Sequence, residues 1–422
     1  MAAGVSASAT EKAENAVAIG YKAKAEGKGA TVIGQYGTAT GRYALAFGGQ
    51  QTDTSSVAAN NVASGDNSVA FGERSTASGS NSTAFGQETK ATEKRATAFG
   101  QRTQATQSNA TAFGIDTIAS GQNATAFGNL TQATEIGATA FGNKNQATGQ
   151  YATAWGGGDK VVTNNDGTIK KVGTVASGTY ATAFGERTVA SGESATAFGS
   201  DSTAEGKNSL AFGEGSNALG GNSLAGLGGT AAADDSIALG RNAQARSKDT
   251  LAIGNGAKAL TGKDVAIGYG AEASGNLTDT STYNYPAIAI GDGTSVKASE
   301  SVAIGKANVI ERADGEADLA GANILGHNNT VKASGVAVIG NNNSVTDPRN
   351  HDVMILGNLV TKTTDNSVFL GSGSAYTSES ESTKGKSKTY TSDRIGGATL
   401  TYAGGAVTSG ICLLYTSPSP RD

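Results

Sequence analysis

Two histidines, His327 and His351, are the residues of this chain best suited to proton transfer near neutral pH. Each sits in its own polar turn, in GHNNT and in RNHDV. No spacing joins either one to a serine and an acid, so no nucleophilic triad can be built. CxxC, HExxH and phosphate-cradling glycine motifs do not occur, and neither does the GGxGxD calcium repeat. Asn341, Asn342 and Asn343 are expected to be turn residues tolerating a left-handed backbone, not metal ligands. The expectation is a protein that is not an enzyme and carries no cofactor and no metal. What recurs instead are side chains suited to contact. Thr76, Lys90, Gln104, Ile118, Gln132 and Gln146 stand 14 residues apart. That column is mostly polar and is expected to face solvent, which makes Thr76, Lys90, Gln104, Gln132 and Gln146 candidate ligand contacts. Phe71, Phe85, Phe99, Phe113, Phe127, Phe141 and Trp155 recur at the same spacing. They are expected to stack in the core rather than to form a platform for a ligand.

These columns come from a repeat that fixes the fold. ATAFG occurs six times unchanged, and looser copies such as AVAIG, SIALG, TLAIG and SVAIG carry the register from Gly20 to Gly371, about 23 copies in all. Fourteen residues are too few for a helical hairpin, which needs more than about thirty. Alternation, β-branched residues and a closing glycine favour two short strands per unit, the first ending in A-F/I-G and the second of the form T-x-A-S-G. Stacked units give an all-β parallel β-solenoid of 14-residue repeats. In Ala124-Thr125-Ala126-Phe127 the pleat sends Thr125 and Phe127 to one side and the alanines to the other. The Thr125 slot holds Val69, Leu210, Ile237, Leu251 and Val265 in other copies, so it is expected to be at least partly buried. The alanine face must approach another backbone closely. One such rung buries little apolar surface against the entropy of ordering it. Lateral association of several chains, like residues meeting about a symmetry axis, would supply the rest.

Three breaks lengthen the repeat, near 49–58, 157–172 and 276–286. In the second, Lys160–Thr163 and Thr168–Val172 read as strands of a projecting hairpin around Asn164-Asn165-Asp166-Gly167. The third holds Tyr283 and Tyr285 beside Pro286. Lys160, Asn164, Asn165, Asp166, Tyr283 and Tyr285 join the candidate contacts, since tyrosines and polar turn residues on exposed loops make good contact surfaces.

Composition agrees. Of 422 residues 61 are glycine and only 6% are aromatic, too lean for a thick globular core. The net charge of −4 with no basic block argues against nucleic acid as a partner. No stretch approaches 18 apolar residues, and the first residues lack a signal-peptide core, so the chain is expected to be cytosolic or an internal piece.

The 14-residue unit, with its AVAIG, SVAFG, ATAFG and SVAIG strands and ASG second halves, resembles the head of trimeric autotransporter adhesins, the YadA-like family. ILGHNNTV, VIGNNNSV and NSVFLG are similar to the neck-proximal part of such heads. The resemblance implies a homotrimeric left-handed β-roll on the cell surface of a Gram-negative bacterium, carried by a coiled-coil stalk and an outer-membrane β-barrel anchor. It implies attachment to host extracellular matrix, host cells or other bacteria by multivalent contact. Stalk and anchor are expected beyond this sequence, so a membrane partner would be reached only through them. On this reading residues 1–371 are the head and 372–410 lead toward a neck. Residues 411–422, with CLLYTSPSPRD, read as translated sequencing adapter, which leaves Cys412 without redox meaning. Two alternatives remain: a trimeric phage tail-fibre shaft, which neighbouring genes would reveal, and an ice-binding solenoid, which thermal hysteresis would reveal. Against the second, Thr111, Thr125 and Thr139 share their slot with Val, Leu and Ile elsewhere.

Overall fold

The computed structural model describes residues 1–10, 13–49, 60–158, 160–163, 169–275, 286–311 and 321–375, with strand pieces at 392–395, 398–401 and 413–414. The chain divides into two compact units, Met1–Asn222 and Ser223–Asp422. Each is a parallel β-solenoid whose coils mostly contribute one longer and one shorter strand, although Met354–Leu356 and Val368–Leu370 follow one another with no shorter strand between. The described residues contain no helix, and so none long and apolar enough to cross a membrane.

In the first unit the coils stack in the register of the repeat. Thr97–Gln101 lies parallel to Thr83–Gln87 on one side and to Thr111–Ile115 on the other, with Phe99 between Phe85 and Phe113. The shorter strands form a second ladder, Thr76–Ala77, Lys90–Ala91, Gln104–Ala105 and onward. The interior is thin because it is made of alanine. Ala98, Ala112 and Ala126 from the longer strands meet Ala105, Ala119 and Ala133 from the shorter ones, all with no exposed surface. Small side chains suit backbones that approach this closely, as expected of the alanine face, and Val32 takes the same slot in an early coil.

Beside the alanines runs a buried column that the sequence reading merged into the second strand: Ser75, Thr89, Thr103, Thr117 and Thr131, all fully buried. The Thr117 hydroxyl donates to the Gly128 carbonyl at 2.8 Å, and the Thr131 hydroxyl to the Gly142 carbonyl at 2.7 Å. These carbonyls belong to the glycines that close the longer strands of the next coil. The glycines have no substitute there. Gly114 sits at φ 133°, and a Cβ built on it would collide with the Gly128 carbonyl oxygen.

The second unit keeps the pattern with different filling. Leu239, Ile253, Ile267 and Ile290 take the place of the phenylalanines, and Val296, Ile310, Val331 and Val345 replace alanine inside. Leu224 pairs with Ile237, a spacing of 13 residues rather than 14. The expected hairpin is present as strands Lys160–Thr163 and Ile169–Val172, antiparallel with Lys160 opposite Val172. Leu413–Leu414, within the segment read as adapter, lies parallel to Val368–Phe369.

The phenylalanine column departs from expectation. The rings stack, but not in the core of the chain. An alanine-lined interior has no room for them, so the pleat turns Phe and its Thr neighbour outward. Phe71, Phe113, Phe127 and Phe198 are 37%, 39%, 38% and 54% exposed.

Candidate functional site

Among the described residues the two histidines stand apart. His327 closes strand Asn323–His327 and accepts the Lys306 N–H at Nδ1, 3.2 Å away, while His351 lies on a later coil with its backbone N–H on Asp365. Both are exposed. Among the described residues no three His, Cys, Asp or Glu side chains come close enough to hold a metal ion. The arrangement offers surfaces instead, and three of them run along the coils of the first unit.

The first is the outward face of the longer strands. Rings stack from Phe47 to Trp155 and again from Phe184 to Phe198, and Trp155 and Phe184 meet tilted by 33° at 5.8 Å. Centroids of the parallel rings are 4.5 Å apart for Phe71 and Phe85 and 4.7 Å for Phe99 and Phe113. Ring faces are thus taken up by one another, and only edges reach solvent. A ligand that must lie flat on an aromatic plane, such as a sugar ring, finds no free plane here. The stack is a continuous apolar strip beside a row of half-buried threonines, Thr83, Thr97, Thr125, Thr139 and Thr153.

The second is the outward face of the shorter strands, which carries the column predicted from sequence. Thr76, Lys90 and Gln104 are consecutive rungs, and Gln132 and Gln146 follow after Ile118. Lys90 is exposed; Thr76, Gln104, Gln132 and Gln146 are half-buried against their neighbours rather than fully solvent-facing. Sequence reasoning missed a parallel row two residues on, Ser78, Thr92, Thr106, Ser120, Thr134 and Thr148, none of them buried. Period-2 alternation carried that signal, since these residues flank the buried alanine on its other side. Two of the hydroxyls are turned onto the next coil: Ser78 donates to the Thr92 carbonyl at 3.1 Å and Thr92 to that of Thr106 at 3.2 Å. Together the rows make a flat hydroxyl and amide surface. Lys160 lies in the hairpin, on a different corner of the coil; Asn164, Asn165, Asp166, Tyr283 and Tyr285 lie outside the described residues.

The third is the corner after each strand-closing glycine, where Arg74, Glu88, Arg102 and Asp116 adopt left-handed backbone angles of 52–57°. Charges alternate up this corner. Arg74 pairs with Glu88, and Arg102 meets Asp116 through two hydrogen bonds of 2.6 Å. The Arg102 guanidinium holds the Asp116 carboxyl below the usual aspartate range. An acid held down in the folded state stabilises the fold above its unfolded pKa, and that contribution is lost as pH falls through its folded value. Arg102→Ala is therefore expected to move the Asp116 titration midpoint upward, toward the ordinary aspartate range, as read by carbon-detected NMR. An unchanged midpoint would show that the guanidinium does not set it. Of Asn341, Asn342 and Asn343 only Asn342 takes the expected left-handed turn conformation, at φ 55°, while Asn343 is buried.

Comparison with known proteins adds the family. The profile of the YadA head domain repeat (2 copies) matches residues 12–36, 63–89, 91–117, 119–145, 133–158, 176–202, 204–225, 231–259 and 286–307, more than half of the chain. No curated protein matches. Among solved structures, the crystal structure of the collagen-binding domain of the Yersinia adhesin YadA aligns with 40% of this chain and 82% of its own length, at 26% identity and a TM-score of 0.27.

Proposed function

Since the chain belongs to the YadA head repeat family, and an adhesin-type role goes with that family, we propose that it is the head of a surface-displayed, homotrimeric adhesin of a Gram-negative bacterium. In this reading the aromatic strip of the longer strands turns toward sister chains. The hydroxyl and amide face of the shorter strands turns outward to host matrix, host cells or other bacteria. The observation that carries it is the aromatic column from Phe47 to Phe198, much of it left exposed on a single chain, as with Phe71 at 37% and Phe184 at 41%. A contiguous apolar strip of that kind marks an interface. Like residues on identical coils would meet around a three-fold axis, rung against rung.

The outward face fits weak contacts summed over many rungs and three chains. Residues 1–371 act as the head and 372–410 as its lead toward a stalk and a membrane anchor; residues 411–422 are adapter-derived. Gln104, Gln132 and Gln146 changed together to aspartate test the binding face. Adhesion of the assembled protein to immobilised host matrix molecules, collagen among them, is expected to fall at least about tenfold, since each rung contributes little alone but all three chains change at once. Assembly should be unaffected. Adhesion unchanged by the triple substitution, in a protein that binds, would move the contact surface elsewhere.

A further inference from the structure

Where an insertion lengthens a coil, a buried side chain from before the insertion receives the returning backbone. In the regular coils around Asn145 the position ahead of the shorter strand holds a hydroxyl such as Thr117 or Thr131, whose described bonds are donated to backbone carbonyls. In the coil that precedes the hairpin insertion it is Asn145. Its Oδ1 accepts the Thr174 N–H at 2.9 Å, across 29 residues of chain, and its Nδ2 donates to the Phe141 carbonyl at 2.5 Å. At the 312–320 break the re-entering Ala322 N–H is accepted by the hydroxyl oxygen of Ser301 at 3.1 Å, across 21 residues, and Ser301 is fully buried. Asn61 follows the first break and reaches back over it, donating to the Phe47 carbonyl at 2.9 Å.

The break between Gly275 and Pro286 has no asparagine at this position; it has Ala271, fully buried. There the acceptor moves to Asp264, also fully buried, one coil earlier. Its carboxylate accepts the Gly275 N–H before the break at 3.4 Å and the Ala287 N–H after it at 2.9 Å. The Thr261 N–H at 2.8 Å and hydroxyl at 2.6 Å complete the set. Asn329, on a regular coil, continues the ladder from Asn308 to Asn343.

The physical reason lies in the return of the chain. In a regular coil the turn has fixed length and supplies its own closing bond, as when Ala138 N–H meets the Glu135 carbonyl at 3.1 Å. A longer excursion gives up that pre-set geometry and costs loop-closure entropy. Its re-entering N–H must still find an acceptor, because an unpaired buried donor is costly. The Asn145 amide and the Ser301 hydroxyl each accept from the returning strand and donate to a nearby backbone carbonyl at the same time.

We propose that Asn145, Asp264 and Ser301 are clamp residues that turn particular coils into insertion ports, where the solenoid can present an added segment of varied length while the coils on either side stay paired. The inference is independent of what any inserted segment binds.

A two-by-two cycle tests it in the full chain. Asn145→Thr installs the residue of neighbouring coils, so the fold has every means to accept it. It is made both with residues 158–172 in place and with them deleted, which restores a 14-residue coil. With the insertion present, amide hydrogen exchange at Thr174 and its rung should speed up about ten- to a hundredfold, the cost of one buried donor left unpaired. With the insertion deleted, the same substitution should change exchange less than about twofold, because the regular turn closes itself. Equal effects in the two backgrounds, or no effect with the insertion present, would overturn the proposal. The same cycle with Ser301→Ala, read at Ala322 with and without seven residues of the 312–320 segment, must give the same asymmetry.

Discussion

Replacing Phe113 by aspartate is expected to leave the coils of one chain paired while abolishing the association of chains. Phe113 is 39% exposed and makes no contact with the alanine interior, so the single chain loses only its stacking with Phe99 and Phe127 at 4.7 Å each. Such pairs are worth about 0.5–1.5 kcal/mol apiece. At an interface the cost is of another order. In the proposed trimer the substitution would remove a central aromatic anchor and bring three carboxylates toward one axis without counter-charges, where they could not all ionise. A loss of at least about 4 kcal/mol in association, roughly a thousandfold in concentration, follows. Phe113→Leu keeps the apolar strip and should lose less than tenfold. Sedimentation of the two variants across a concentration series checks both. A Phe113→Asp protein that assembles like the parent would show that the strip faces no sister chain.

Gly114→Ala carries the largest expected effect within a single chain. The residue lies at φ 133°, a conformation that side-chain-bearing residues rarely adopt, and its missing Cβ is the space taken by the Gly128 carbonyl oxygen. That oxygen also receives the Thr117 hydroxyl, so it cannot retreat without breaking a buried hydrogen bond. Backbone strain and overpacking together make about 4 kcal/mol a reasonable loss. It should appear in urea unfolding, with hydrogen exchange fastest in the rungs from Thr97 to Asn129. Gly157→Ala is the control. Its nearest neighbour for a new Cβ is Asn143 at 3.7 Å, an ordinary contact, and the change should stay within about 0.5 kcal/mol. Equal tolerance of the two alanines would show that the glycine column is not set by coil-to-coil approach.

Much of this architecture could be read from the repeat. The 14-residue period fixed the strand ladders, and alternation about Ala126 separated the two faces correctly. The hairpin could be read from KVVT and TIKKV flanking an Asn-Asn-Asp-Gly turn, because that local chemistry needs nothing from the rest of the chain. Alternation does not say which face is inside. Phe127 was assigned to the core on hydrophobicity, whereas the decision rests on volume: two facing alanine columns leave a gap that no ring can enter. The buried column of Thr117 and Thr131 was hidden because hydroxyls read as surface when their carbonyl partners lie 11 residues away. Asn343 was misread as a turn residue for the same reason. Its partners, Asn329, the Gly357 carbonyl and the Val360 N–H, are set only by stacking.

For the contact surface, the polar column was legible as a column. Its half-burial was not, since it follows from how closely neighbouring rungs pack, nor was the companion row of Ser78, Thr92 and Thr106 recognised. Tyr283 and Tyr285 stay proposals drawn from loop chemistry alone.

The central claim is that an alanine-cored solenoid leaves its aromatic column for sister chains to cover. Sedimentation equilibrium of the purified chain from about micromolar downward tests it most directly. The account predicts a single species at three times the 41.8 kDa chain mass, with β-sheet circular dichroism lost together with assembly on dilution or in urea. A species at one chain mass that keeps its β signal and its cooperative unfolding would contradict it.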